Sequence, residues 1–322
     1  MYEANSREVI HLLEEYSVLK ESFRWENNLS KWLIALTHTM QDQHVDTEKI
    51  AGVRDHIKKE TGMFSPFRGN VLFLLSGLLS ASESNPNLAV NEMIELYPMM
   101  KSAGLKQSTY IPTALYTLVN MYEKDVYEQR IERAGAIYKE MRSNHPFLTG
   151  GDDYALAILL ADEKSRLDQI EGYYNALKSG PFTASNGLQM MSHILSFSDK
   201  SPEEVASKCE DIMLKLKENK LKVSATYYPA IALIALLDDD KAAGEAVEIA
   251  KELRQSKHAK WLEKGMNVML ASALVSSRYI NSKKSGVVTA TVQVSVQVII
   301  AAQQAAMIAA ISASTAAAAA NS

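Results

Sequence analysis

The chain has 322 residues, 47% of them hydrophobic and 22% charged, with a formal net charge of -4. That length allows a large core, and the mild acidity, with no basic stripe, argues against a nucleic-acid partner. The single cysteine, Cys209, excludes an intrachain disulfide and suits a reducing compartment.

The N-terminal residues Met1-Tyr2-Glu3-Ala4-Asn5-Ser6-Arg7-Glu8 are polar and lack the apolar core of a signal peptide, so a cytoplasmic location is expected. With only 14 glycines and 8 prolines, no Pro/Gly/Ser-rich linker divides the chain. A single elongated helical domain over 1–322 is therefore expected: an N-terminal cap (1–45), helical repeats (46–280) and an uncharged end (285–322). A first helix runs from Ser6, a fitting cap, to about Glu21, with Val9, Leu12, Leu13, Tyr16 and Leu19 at helical spacing. A second carries Trp32, Leu33, Leu36 and Met40.

From about residue 48 the pattern recurs. Amphipathic helices are marked by Ile50, Val53 and Ile57; by Val90, Met93, Ile94 and Tyr97; and by Ile131, Ala134, Tyr138 and Met141. Leu167, Ile170, Tyr174 and Leu177 mark the next, then Val205, Cys209, Ile212 and Leu216, and then Ala246, Ile249 and Leu253. Steps of three and four place each set on one face. Each ends at a polar or small junction followed by one apolar anchor: Phe64, Leu105, Phe147, Phe182, Leu221 and Trp261, which recur every 35–42 residues. Such a junction predicts a capped helix end with the anchor folded back on it. A more apolar helix follows each time: Val71–Ser80, Ile111–Val119, Tyr154–Ala161, Leu188–Leu195, Tyr228–Leu237 and Asn267–Val275. Thr109-Tyr110-Ile111-Pro112 returns as Thr226-Tyr227-Tyr228-Pro229, 117 residues on. Proline suits a first helical turn, where its missing N–H has no partner to lose. The prediction is all-α: an α-solenoid-like array of about six degenerate helical hairpins with an N-terminal helical cap and a C-terminal Ala/Gln-rich helix. Pro98, inside the second array helix, predicts a kink or break.

From Ser285 to Ser322 no residue is charged. Thr289, Gln293, Gln297 and Gln304 share a helical face, so a helix packed on the last hairpin is expected. A membrane anchor is the competing reading, and the glutamines, costly in hydrocarbon, count against it.

Catalytic signatures are missing: there is no Gly-x-Ser-x-Gly elbow, Walker loop, Gly-x-Gly-x-x-Gly turn or His-Glu-x-x-His helix. No catalytic residue, metal ligand set or cofactor is assigned. Cys209 lies in an apolar stripe and reads as a structural thiol. The richest local chemistry is His145-Pro-Phe-Leu-Thr-Gly-Gly-Asp-Asp-Tyr154. His145, Asp152 and Asp153 have the residue types for a divalent metal or for acid–base work. Capping is preferred: Thr149-Gly-Gly-Asp152 resembles a capping box with Asp for Glu, and carboxylates suit the positive end of a helix. Tyr110, Tyr154, Tyr227 and Tyr228 stand at the starts of second helices and form either an aromatic binding strip or packing between hairpins. Asp238-Asp239-Asp240 and the Lys215–Lys222 run read as solvated surface.

The His145–Tyr154 stretch, with Leu96-Tyr97-Pro98-Met99 upstream and Ala301-Ala-Gln-Gln-Ala-Ala-Met-Ile308 downstream, resembles a Firmicute domain-of-unknown-function family, number 4003. The resemblance spans the chain and implies a bacterial cytoplasmic protein; it implies no activity and no site residues. The leading expectation is a non-enzymatic helical-repeat scaffold that binds a protein or peptide. Two alternatives stand beside it: a metal-dependent enzyme centred on the His145/Asp152/Asp153 loop, and a membrane-tethered protein held by its tail.

Overall fold

The computed structural model describes residues 2–82, 85–107, 109–161, 169–237, 239–284 and 308. Among them the regular structure is helical, with no strand. The order is α1 (Tyr2–Ser22), α2 (Asn28–Met40), α3 (Thr47–Glu60), α4 (Asn70–Ser82), α5 (Pro86–Ser102), α6 (Ile111–Met121), α7 (Tyr127–Asn144) and α8 (Tyr154–Leu160). It continues with α9 (Ile170–Ser179), α10 (Asn186–Leu195), α11 (Pro202–Glu218), α12 (Tyr228–Leu236), α13 (Ala242–Gln255) and α14 (Lys264–Lys284). None of these helices is long and apolar enough to cross a membrane. The expected C-terminal helix over 285–322 lies outside the described residues, apart from the buried Ile308.

The chain forms two compact units. In the first, residues 10–161, three hairpins (α3/α4, α5/α6, α7/α8) pack side by side: α3 on α5, α5 on α7, α2 on α4, α4 on α6 and α6 on α8. In the second, residues 2–9 with the described part of the chain from 169, the hairpins α9/α10, α11/α12 and α13/α14 do the same: α9 on α11, α11 on α13, α10 on α12 and α12 on α14.

This packing explains the two kinds of helix. The first helix of each hairpin has solvent on one side and buries only a stripe, such as Ile50, Val53 and Ile57 on α3 or Val205, Cys209, Ile212 and Leu216 on α11. The second helix lies between its own partner and the second helices on either side, so it is buried all round: Ile111 through Leu118 on α6, Tyr228 through Ala235 on α12. A helix apolar on every face is stable only when enclosed in this way. The helix starts carry expected chemistry. Ser201 and Glu204 close a capping box on α11, with Glu204 N–H donating to Ser201 Oγ at 3.3 Å and Ser201 N–H to Glu204 Oε2 at 3.0 Å. Asn27, Asp46, Asn85 and Ser185 cap α2, α3, α5 and α10.

Three local expectations are corrected. α1 begins at Tyr2, upstream of Ser6, so Ser6 is not its cap. α5 runs unbroken through Pro98 into its last turns, where the buried Met100 holds it to the core. The six anchors also divide. Leu105, Phe182 and Leu221 are buried, but Phe64, Phe147 and Trp261 are 98%, 99% and 82% exposed. The backbone supplies the reason at two of the buried positions. Gly104 (φ 94°) and Lys220 (φ 61°) adopt the left-handed conformation, which turns the next residue back: Leu105 N–H donates to Met100 O at 3.1 Å and Leu221 N–H to Leu216 O at 2.9 Å. After α3 the chain leaves extended at Thr61 (φ -127°, ψ 146°), and after α7 it leaves through His145 at φ -132°, ψ 67°; neither residue is left-handed, and there the anchor is exposed.

Neighbouring hairpins approach closely at glycines. A Cβ on Gly187, at the start of α10, would lie 1.9 Å from Ala225 O, whereas one on Gly52, on the outer side of α3, would meet nothing within 4 Å. Gly187→Ala should therefore destabilise by about 1–3 kcal/mol through forced overpacking. Gly52→Ala should stabilise by about 0.5–1 kcal/mol through helix propensity alone. Urea denaturation of both variants checks the pair; equal effects would contradict this packing.

Candidate functional site

The loop between α7 and α8 is built from its backbone outwards. His145 ends α7, its N–H donating to Met141 O at 2.9 Å, and its own carbonyl accepts from Leu148 and Thr149 at 3.1 and 3.0 Å. Thr149 does not cap the following helix: its hydroxyl donates backwards to Met141 O at 3.1 Å and closes α7. The carboxylate that serves the next helix is that of Asp153. Its Oδ2 accepts the Gly150 N–H at 2.9 Å, and Asp153 N–H donates to Gly150 O at 3.3 Å across a single 3-10 turn (Gly151–Asp153). The box is thus shifted by one residue from Thr149/Asp152 to Gly150/Asp153, and a glycine supplies only the backbone half of it.

Asp153 is fully buried, and its Oδ1 has no hydrogen-bond partner among the described residues. Burial first, and the neighbouring Asp152 second, hold its carboxyl well above the usual carboxylate range, against the Gly150 N–H, which pulls the other way. Around it stand three tyrosines. Tyr138 and Tyr154 meet edge to face at 4.8 Å, and burial chiefly, with Tyr154 and Asp153 nearby, pushes the Tyr138 phenol up to about 12. Tyr110 lies against Gly151, where an added Cβ would come within 2.3 Å of its ring.

The tyrosines at the helix starts are spent on packing. Tyr154, Tyr227 and Tyr228 are buried and Tyr110 is half-buried. In the first unit Tyr154 Oη accepts the Gln107 N–H at 3.0 Å; in the second, Tyr228 Oη accepts the Thr183 N–H at 3.3 Å, with Phe182 edge-on at 5.1 Å. Tyr110 packs on Gly151, and Tyr227 packs on Gly265 in the same way. Each pair joins a helix start to the turn of a neighbouring hairpin, and no open aromatic strip results from these four residues. The Cys209 thiol is buried and pushed up by that burial, which leaves it unreactive. Asp239 and Asp240 line an open cleft with Lys208, Asp211 and Lys215, a solvated mixture of both signs. Asp238 lies outside the described residues. Lys215, Lys217, Lys220 and Lys222 are exposed while Leu216 and Leu221 turn inward.

Among the described residues, the three metal-ligating atoms that converge are not those of His145, Asp152 and Asp153. They belong to His11, Glu15 and His44, one atom from each, all within 4.8 Å of one another. His11 and Glu15 lie one turn apart on α1; His44 comes from the loop between α2 and α3. His11 Nε2 stands 3.2 Å and His44 Nδ1 2.7 Å from Glu15 Oε1, while Glu15 Oε2 accepts the Val45 N–H at 2.6 Å. Glu15 is buried, and its hydrogen bond and charge raise the His44 imidazole above its ordinary value. The spacing His11-x-x-x-Glu15 on a predicted helix was a visible signal for two of the three residues; nothing in the spacing of His44 links it to them.

Asp153 yields a pH prediction with a definite sign. Its folded carboxyl keeps a proton that the unfolded chain has released above its ordinary value of 3.8. Stability therefore falls as pH rises above that value and levels off once the folded group ionises. Asp153→Asn keeps an acceptor for Gly150 N–H and removes the charge, so it should be at least as stable as wild type at pH 7 and lack this fall. Asp153→Ala leaves the Gly150 N–H without its acceptor and should cost about 1–3 kcal/mol. Denaturant titrations from pH 3.5 to 8, taken as the difference between wild type and Asp153→Asn, measure the effect; a flat difference would refute it.

The chain is similar to YeaA, an uncharacterized protein of Bacillus subtilis (strain 168): 28% identical over 292 residues, which cover 87% of this chain and 88% of the relative. No solved structure matches it. A family model described as protein of unknown function, DUF4003, matches residues 15–305. That description and the name of the relative assign no activity, and the resemblance carried by the central loop and its flanking motifs holds: the chain belongs to the DUF4003 family.

Proposed function

We propose that this is a cytoplasmic bacterial helical-repeat scaffold, without catalytic activity of its own, that binds a protein or peptide through the turns of its hairpins. The observation that carries this reading is the exposure of large aromatics at three turns of the first unit. In the first unit Trp25, Phe64 and Phe147 are 99%, 98% and 99% exposed, and Met63 beside Phe64 is 77% exposed. These turns neighbour one another along one edge. Arg54 of α3 pairs with Glu26 at 2.6 Å, Phe67 meets Tyr97 of α5 at 5.9 Å, and the Gln107 turn meets Tyr154. Exposed aromatics in water contribute nothing to folding and are what the centre of a binding interface uses. Stacked hairpins bring turns distant in the chain to one edge, which suits an extended partner. The second unit carries Trp261, 82% exposed, at the turn between α13 and α14.

A photo-crosslinking residue placed at Phe64 or Phe147 in living cells should capture a discrete protein partner, and one placed at Glu132, on the exposed side of α7, should not. The triple variant Trp25→Ser, Phe64→Ser, Phe147→Ser should keep its stability to within about 0.5 kcal/mol, since these side chains are exposed, and should lose that partner. Retention of the partner by the triple variant would reject the reading.

A further inference from the structure

We propose that His11, Glu15 and His44 form a binding site for a divalent transition-metal ion of the zinc class, which clasps the loop between α2 and α3 onto α1. The proposal stands apart from the scaffold reading and uses none of its residues.

Two imidazoles and a carboxylate are the donor set that suits zinc and its neighbours, whereas magnesium and calcium take oxygen ligands. Metal–ligand bonds of about 2.0–2.2 Å in a tetrahedron separate the ligand atoms by roughly 3.4 Å. The observed separations from Glu15 Oε1 are 3.2 Å to His11 and 2.7 Å to His44. The third separation, between the two imidazoles, lies within 4.8 Å, and the His44 side chain, 84% exposed, can adjust both distances. Its exposure also leaves the fourth position open to water.

The surroundings orient the set as metal sites require. The Val45 N–H holds Glu15 Oε2 and directs Oε1 at the two imidazoles. A buried Glu15 needing only a counter-charge would be served by Val45 and His44. That arrangement leaves no reason for His11 to aim at the same oxygen, where its buried Nε2 makes no well-formed hydrogen bond. A shared cation supplies that reason. The nearby buried His38 is otherwise engaged, with Nδ1 3.0 Å from Ile34 O and Nε2 3.5 Å from Ser80 Oγ, so it is not a fourth ligand.

The test uses full-length protein without a polyhistidine tag, freed of metal by chelator. Calorimetric titration should show one equivalent of Zn²⁺ bound to the wild type, with a raised melting temperature, and no equivalent response to Mg²⁺. His44→Ala, which removes an exposed side chain and leaves the core intact, and His11→Asn should each weaken Zn²⁺ binding by at least about 100-fold, with unchanged circular dichroism. No stoichiometric uptake by the wild type, or uptake that His44→Ala leaves intact, overturns the proposal.

Discussion

The contact on which the packing of both units turns is the one a second helix makes at its start with the turn of a neighbouring hairpin. A tyrosine hydroxyl takes a backbone N–H from that turn, Gln107 to Tyr154 in one unit and Thr183 to Tyr228 in the other. A second tyrosine packs against a glycine of a neighbouring hairpin: Tyr110 on Gly151 across the same junction in one unit, and Tyr227 on Gly265, at the start of α14, across the next junction in the other. The hydrogen bond satisfies a backbone donor that the turn itself leaves unpaired, and a buried donor without a partner is costly. The glycine lets a ring approach where any Cβ would collide. In the first unit the two contacts bear on one junction; in the second they bear on two successive ones.

The same junction explains why Asp153 sits where it does. Enclosure of α8 buries its first residues and the Asp153 carboxyl that reaches back to Gly150. A charge there would be unscreened, so the environment favours the neutral acid. What the sequence offers as paired carboxylates for metal or acid–base work is divided by tertiary packing into one half-buried group, Asp152, and one enclosed group, Asp153. The side chains that converge among the described residues lie instead on α1 and the α2–α3 loop, where His11 and His44 both approach one oxygen of the buried Glu15.

The turns differ in where they place their anchors, and at two of the buried ones a left-handed backbone residue is responsible. A left-handed residue before the anchor folds Leu105 and Leu221 into the core; after α3 and α7 no residue turns back in this way, and Phe64 and Phe147 stand in water. Chemically similar anchors thus end either in the core or on the surface.

By itself, the sequence determined the helical class, the positions of the hairpin helices to within a few residues, and the inward stripes that include Cys209. These depend on local periodicity and on capping chemistry such as Ser201 with Glu204, both read within a few residues of chain. Family membership was likewise legible, from the loop at His145–Tyr154 and its flanking motifs. Tertiary structure alone decided which anchors are buried, that the capping carboxylate is Asp153 reaching to Gly150 rather than Asp152 with Thr149, and that the helix-start tyrosines are enclosed. It alone decided, too, that His44 meets His11 and Glu15. Each of these depends on contact between residues distant in the chain or on a turn angle that several residue types can adopt, and neither leaves a periodic trace in the sequence.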